Sequence, residues 1–379
     1  MNEDRSARYH TLGRRAAIVS TAWSAGFLGL LAATPLSILL RESVERIVAP
    51  LAPAWLLPSA VVLGYVAAVG LAHELGEWPI AFYRTYILEH RYGLSTESLR
   101  LWTVDQLKGA ALGGGLSLAG FWAVYLAMRT WPEWWWLAAA GGVTAVIVVL
   151  TRLAPVLLMP IFFTFRPIAR SELRNRLLAL SRRAGVPVTD VSEWQLSDRT
   201  KKANAALAGF GRTRRILVSD TLLSNYSDDE IEVILAHELA HQVHHDIWRG
   251  IAVQALIATA GFYAASRVMS GLSSRLGWQG VADVAGLPVL LLAAGFLSLA
   301  SLPAANAFSR RMERAADRFA LDLTGNAGAF SSAMRRLAEQ NLSEEHPSRF
   351  ARWMFYTHPP VRERIDIARA WVRPSTPEP

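Results

Sequence analysis

The chain has 379 residues, 52% hydrophobic and only 18% charged, with a mean hydropathy of +0.22; this excludes an ordinary soluble domain, a disordered chain, a coiled coil and collagen. The net charge of +8 rests almost wholly on arginines that flank apolar segments, so the loops of a membrane protein account for it and a nucleic-acid partner is not expected. With no cysteine there are no disulfides, thiolate nucleophiles or cysteine metal sites, and any metal must be held by His, Asp or Glu.

A spanning helix needs about 20 mainly apolar residues. Six stretches meet or approach this: residues 16–40, 47–72, 109–128, 134–151, 250–266 and 284–308. The first follows Arg14 and Arg15 but is too long for the apolar core of a signal peptide, so it reads as a span. Counting Lys and Arg places the N-terminus, the loop 84–108, the region 166–249 and the C-terminal tail on one side, which the positive-inside rule makes cytoplasmic. His73, Glu74 and Glu77 lie at the end of the second span and read as a chamber-lining or interfacial polar group.

Between the fourth and fifth spans lies a soluble insertion. Residues 170–184 have the spacing of an amphipathic helix, and three β-like runs follow at 191–196, 203–210 and 215–219. Ser227-Asp228-Asp229-Glu230 is a capping box that opens a helix through about His245. Beyond the sixth span, helix is expected over 310–323, stopping at Gly325-Asn326, with a disordered tail after Arg373. Four units result: a membrane region 1–165 with four spans, the insertion 166–249, two spans in 250–309, and a C-terminal part 310–379. The fold class is mainly α: a multi-pass helical membrane protein of about six spans with a soluble part containing a small β-sheet.

The capped helix carries His237-Glu238-Leu239-Ala240-His241. Residues four apart share one helix face, so both imidazoles can reach a single ion, and Glu238, about 100° round, can deprotonate a water there without ligating. A catalytic zinc needs a third ligand. His244, His245 and Asp246 are near in sequence, but read better as a polar helix end. Farther on, Asn306, Ser309, Glu313 and Asp317 form a polar stripe at helical spacing, which by spacing alone fits a third ligand and a solvated face equally well.

These two motifs together resemble the type I CAAX prenyl proteases and their HtpX-type relatives, integral-membrane zinc metallopeptidases of the gluzincin type. The segment from Ile87 through Glu89, Tyr92, Gly93 and Ser95 to Asp105 and Lys108 is similar to the membrane region of the CAAX branch. Asn204 to Gly209, Arg215 to Asp220, and Thr357-His358-Pro359 with Arg364-Ile365 match further family segments. The resemblance implies one Zn2+ per chain held by His237, His241 and Glu313, with Glu238 as general base and Asp317 and Asn306 behind the ligands. It also implies that His358 and Arg364 stabilise the oxyanion and that Asn204 and Ala205 pair with extended substrate. In that family the spans surround a chamber; the eukaryotic members are expected to have seven spans where six are counted here.

The implied partners are the lipid bilayer and a peptide or protein substrate, membrane-associated or prenylated. Arginine-rich, cysteine-free composition suits a bacterial inner-membrane homologue with the site on the cytoplasmic side. A quality-control protease of the HtpX type is the rival enzyme. A zinc-containing transporter or scaffold is the rival of another class, which Glu238 disfavours because a structural site needs no base.

Overall fold

The computed structural model describes residues 2–209 and 211–372; Phe210 and the tail 373–379, expected to be disordered, lie outside the described residues. Six helices are long and apolar enough to cross a membrane. They are built on α1 (Asn2–Ala33), α3 (Leu57–Phe82) continuing into α4 (Leu88–Arg91), α5 (Leu99–Thr130), α6 (Trp135–Leu153) continuing into α7 (Met159–Phe162), and the later α11 (Asp246–Leu272) and α12 (Leu287–Thr324). Pro155 sits in the π-helical turn Ala154–Leu158, and Pro79 four residues before that at Tyr83–Ile87; the second and fourth spans carry on through both turns.

The expected first span is corrected. Helix α1 starts already at Asn2 and ends at Ala33, and α2 (Leu36–Val48) is a separate amphipathic helix. Pro35 cannot supply the N–H the first helix would need, which breaks the uncharged run in two. The charged N-terminal turns hold because Ser6 and His10 each bond the Leu342 carbonyl at 2.8 Å.

Main neighbours among the spans form a closed ring: α1 to α3, α3 to α5, α5 to α6, α6 to α11, α11 to α12, and α12 back to α1. Helix axes pack 8–10 Å apart, so six in a closed ring leave a gap about one helix wide. At the end remote from the insertion that gap is filled by Tyr65, Tyr125, Trp135, Met269 and Leu287. A closed ring of spans is the arrangement that the family resemblance implied around a chamber.

The insertion opens with β1 (Phe165–Pro167), which the sequence did not suggest, then α8 (Ser171–Arg183), β2 (Asp190–Trp194), β3 (Ala205–Ala208) and β4 (Arg215–Ser219). The sheet order is β1-β2-β4-β3, with β2 and β4 parallel and β3 antiparallel at the edge. Strand β3 stops short of its expected end because Gly209 takes φ 87°, where a Cβ would stand 2.3 Å from the Thr213 carbonyl oxygen. Next come α9 (Asp220–Asn225) and α10 (Asp228–Val243), and after the last span α13 (Ala327–Gln340), α14 (Arg349–Phe355) and α15 (Val361–Ala370).

One apolar core joins Leu173 and Leu177 of α8, Ile216 and Val218 of β4, Leu235 and Leu239 of α10, Leu321 of α12, Phe330 of α13 and Ile365 of α15. Family-motif residues of the membrane region seat this unit: Glu89 pairs with Lys202 at 2.9 Å, Asp105 with Arg199 at 2.9 Å, and Ser95 bridges Thr200.

Candidate metal centre

The capping box is formed as the sequence predicts: Ser227 accepts from the Glu230 N–H, and Glu230 accepts from the Ser227 N–H at 2.9 Å. It fixes the start of α10, and the apolar residues Ile231, Leu235 and Leu239 then bury one side of that helix. His237 and His241 consequently share the face that meets α12, their rings 5.0 Å apart and nearly perpendicular. Helix α10 ends at Val243, slightly before the expected His245. His245 itself adopts the left-handed region at φ 55°, a conformation non-glycine residues seldom take.

Opposite stands the α12 stripe, where Asn306, Arg310, Glu313 and Asp317 are all buried. Glu313 Oε2 lies 3.2 Å from His237 Nε2, and Glu313 Oε1 lies 3.6 Å from His241 Nε2. One ligand atom from each of the three residues falls within 4.8 Å of the others, the one such group among the described residues. The far nitrogens are held as well. His237 Nδ1 is 2.9 Å from Asp317 Oδ1, and His241 Nδ1 is 2.9 Å from Asp246 Oδ2. Both carboxylates are buried. That arrangement fixes which imidazole nitrogen faces inward, as it does around bound metals.

The donor set fits a divalent cation. Glu313 Oε2 is buried against another donor atom of the same group, His237 Nε2 at 3.2 Å, and not against a hydrogen-bond donor outside it. His237 reports the same demand for positive charge. Burial alone would lower its pKa, but hydrogen bonds to Asp317 and Glu313 outweigh it and raise it to about 9. Two imidazole nitrogens with one carboxylate are the donors of a catalytic zinc site with an open position. Burial pushes the Glu238 carboxyl up from its ordinary value.

The remaining expected residues are placed as follows. His358 reaches the group, with Nε2 3.4 Å from Glu313 Oε1, while most of its side chain stays open. Arg364 makes a two-pronged contact with Asp317 at 2.5 and 2.9 Å and approaches His237 Nδ1 at 3.3 Å, so its first contact is the carboxylate behind the ligand. Asn306 does not touch a ligand. Its Nδ2 donates to the Met354 carbonyl at 2.7 Å, and Arg310 donates to those of Arg352 and Tyr356, so together they tether α14 and the loop carrying His358.

Ala205 lies on the edge strand β3 beside α10, whereas the main-chain carbonyl of Asn204 is spent on the Ser219 N–H and its side chain is exposed. By antiparallel alternation, Ala205 and Leu207 turn their N–H and C=O groups to the open edge. His73 and Glu77 pack on α1, bonding Ser24 at 2.9 Å and Ser20 at 2.7 Å; Glu74 is exposed. Asp246 in its actual role was missed. Only the left-handed turn at His245, which carries no sequence signature in a histidine, brings it back onto His241.

The model of peptidase family M48 matches residues 167–372, and that of the CAAX prenyl protease N-terminal region, described as five membrane helices, matches residues 3–164. The chain belongs to peptidase family M48 and is a membrane metalloendopeptidase. In residues 3–164 it carries four helices long enough to cross a membrane plus the short α2. It is 30% identical to the uncharacterized metalloprotease YhfN of Bacillus subtilis over 81% of this chain and 72% of that one. It is 27% identical to the CAAX prenyl protease 1 homolog of Oryza sativa over 80% and 72%. The crystal structure of S. mikatae Ste24p superposes with a TM-score of 0.84 at 21% identity, covering 97% of this chain and 88% of that one, and so shares the fold.

Proposed function

We propose that this metallopeptidase is a zinc endopeptidase that cuts extended peptide segments drawn into the chamber from the cytoplasmic side of a bacterial inner membrane. The observation that carries it is the convergence of His237 Nε2, His241 Nε2 and a Glu313 carboxylate oxygen, with both far imidazole nitrogens held by buried carboxylates. His237, His241 and Glu313 would hold a zinc ion, which when bound would supply polarisation of the scissile carbonyl and a lowered pKa for water. Glu238 takes a proton from the attacking water and hands it to the leaving amine; burial, which disfavours its charged form, suits a group that must pick a proton up and pass it on. His358 donates to the oxygen that gains charge, and Arg364 holds Asp317, and through it His237, while adding positive charge behind the ligand. Substrate lies along β3, bonding the open groups of Ala205 and Leu207 with Asn204 at the entry.

Main-chain pairing of this kind reads no prenyl group, so hydrolysis is expected with or without one, whatever the names of the relatives. The placement of the basic segments supports the cytoplasmic assignment. The test is hydrolysis of a peptide library by purified protein, followed by mass spectrometry, after chelation and after zinc is restored. Activity that survives complete metal removal refutes the assignment. Equal cleavage of farnesylated and plain versions of one peptide supports prenyl independence, and cleavage of the farnesylated form alone overturns it.

A further inference from the structure

Three large aromatic side chains on α14 face open space: Phe350 is 65% exposed, Trp353 51% and Phe355 44%. Phe350 has its ring centroid 6.3 Å from that of Trp353 and 6.4 Å from that of Phe355, so the three make one patch. The opposite side of the helix is buried through Ala351 and held to α12 by Asn306 and Arg310. These two residues share the α12 face that bears Glu313 and Asp317. Seven residues separate Asn306 from Glu313, about 10 Å along the helix. The patch thus lies on the active-site face of the sixth span, displaced toward the membrane. It is continuous with the site along the chain as well, because His358 follows Phe355 by three residues.

We propose that Phe350, Trp353 and Phe355 form an apolar subsite for the substrate, selecting a bulky aliphatic or aromatic side chain about three residues from the cleaved bond. This rests on the endopeptidase reading above. The spacing follows from reach: three residues of chain from His358 to Phe355 span at most about 10 Å, and an extended substrate advances about 3.3 Å per residue. Solvent-exposed aromatic trios are seldom left uncovered on a soluble surface. Two covers are available here: a peptide in the chamber, or the acyl chains of the bilayer. The peptide is favoured because α14 is bound to the ligand-bearing face of α12 and runs directly into the loop of His358.

The experiment uses peptides that differ only at the third residue from the mapped cleavage site, Leu against Ser, on each side in turn. On one side the wild-type protein should prefer Leu in kcat/KM by roughly ten- to a hundredfold, the value of burying one large apolar side chain. Trp353→Ala and Phe350→Ala should bring that ratio close to one. A ratio that persists in the variants, or an equal loss on both peptides, overturns the proposal, the second outcome reducing α14 to a support for His358. Because the chain has no cysteine, Arg349→Cys, at the exposed residue beside Phe350, can carry an environment-sensitive dye in nanodiscs with the aromatic trio intact. The Leu peptide bound to that protein with Glu238→Gln should shield the dye. Quenching by spin-labelled lipid that the peptide does not relieve assigns the patch to the bilayer and overturns it. Should the wild-type cut neither peptide, the endopeptidase reading fails, while the dye still reports whether the peptide seats on the aromatic trio.

Discussion

Replacing Asp246 by alanine should weaken zinc binding without removing a ligand. The carboxylate is 6% exposed and accepts from His241 Nδ1 at 2.9 Å. A hydrogen bond with a charged partner contributes about 1.5–3 kcal/mol. Outer-shell partners of metal-bound histidines are worth about 10- to 100-fold in affinity, about 1.4–2.8 kcal/mol, so two independent routes give the same size. Without Asp246 the ring of His241 can turn and can present the wrong tautomer. Asp246→Asn keeps an acceptor oxygen and should fall between the two. Competition with a chelator of known affinity measures the loss, and the visible spectrum of the cobalt-substituted protein reports whether the ligand field has changed. Zinc affinity within twofold of wild type in Asp246→Ala, with the protein still folded, would refute the reasoning and leave His241 oriented by packing alone.

Glu238→Gln should retain zinc yet lose hydrolysis by orders of magnitude, read by metal analysis beside a peptide assay. Glu313→Ala should lower zinc occupancy while His245→Ala leaves it nearly unchanged, since the His245 contribution is its backbone turn; the reverse pattern would move the third ligand onto the zinc helix. The capping box should show in stability against pH. Burial pushes the Glu230 carboxyl up, but bonds from Ser332 and Ser227 and the charge of Arg336 outweigh it and hold its pKa below the ordinary 4.5. That stabilisation is complete above 4.5 and lost as pH falls through the lower folded value, so acid denaturation of Glu230→Gln should be shallower over that window. Reporter fusions after Lys202 should read cytoplasmic and those near Ser274 external; an external signal at 202 would overturn the orientation.

The spans were legible because a bilayer forces about 20 apolar residues into each, a demand written locally in the chain. The entry of α1 was not, since its first turns depend on the carbonyl of Leu342, more than 300 residues away. Strand β1 is three residues long and exists only through pairing with β2, so no periodicity could announce it. At the metal centre, the i,i+4 spacing of His237 and His241 is a helical property and could be read directly. Glu313 needed the family resemblance, because a charged stripe looks the same whether it meets water or an ion. Arg364 was expected to face developing charge. Its strongest contact is Asp317, a pairing fixed by how α15 docks on α12, which sequence spacing does not encode.

Under the proposed pairing, the edge strand sets a ceiling on how tightly any substrate can be held by its main chain. Only Ala205 and Leu207 offer free groups before Gly209 turns the chain away, which allows about four hydrogen bonds. At about 1 kcal/mol net each, these amount to a dissociation constant near 1 mM. A protease holding substrate this way would let go of each cut fragment readily, and its discrimination would have to come from side chains beyond the strand.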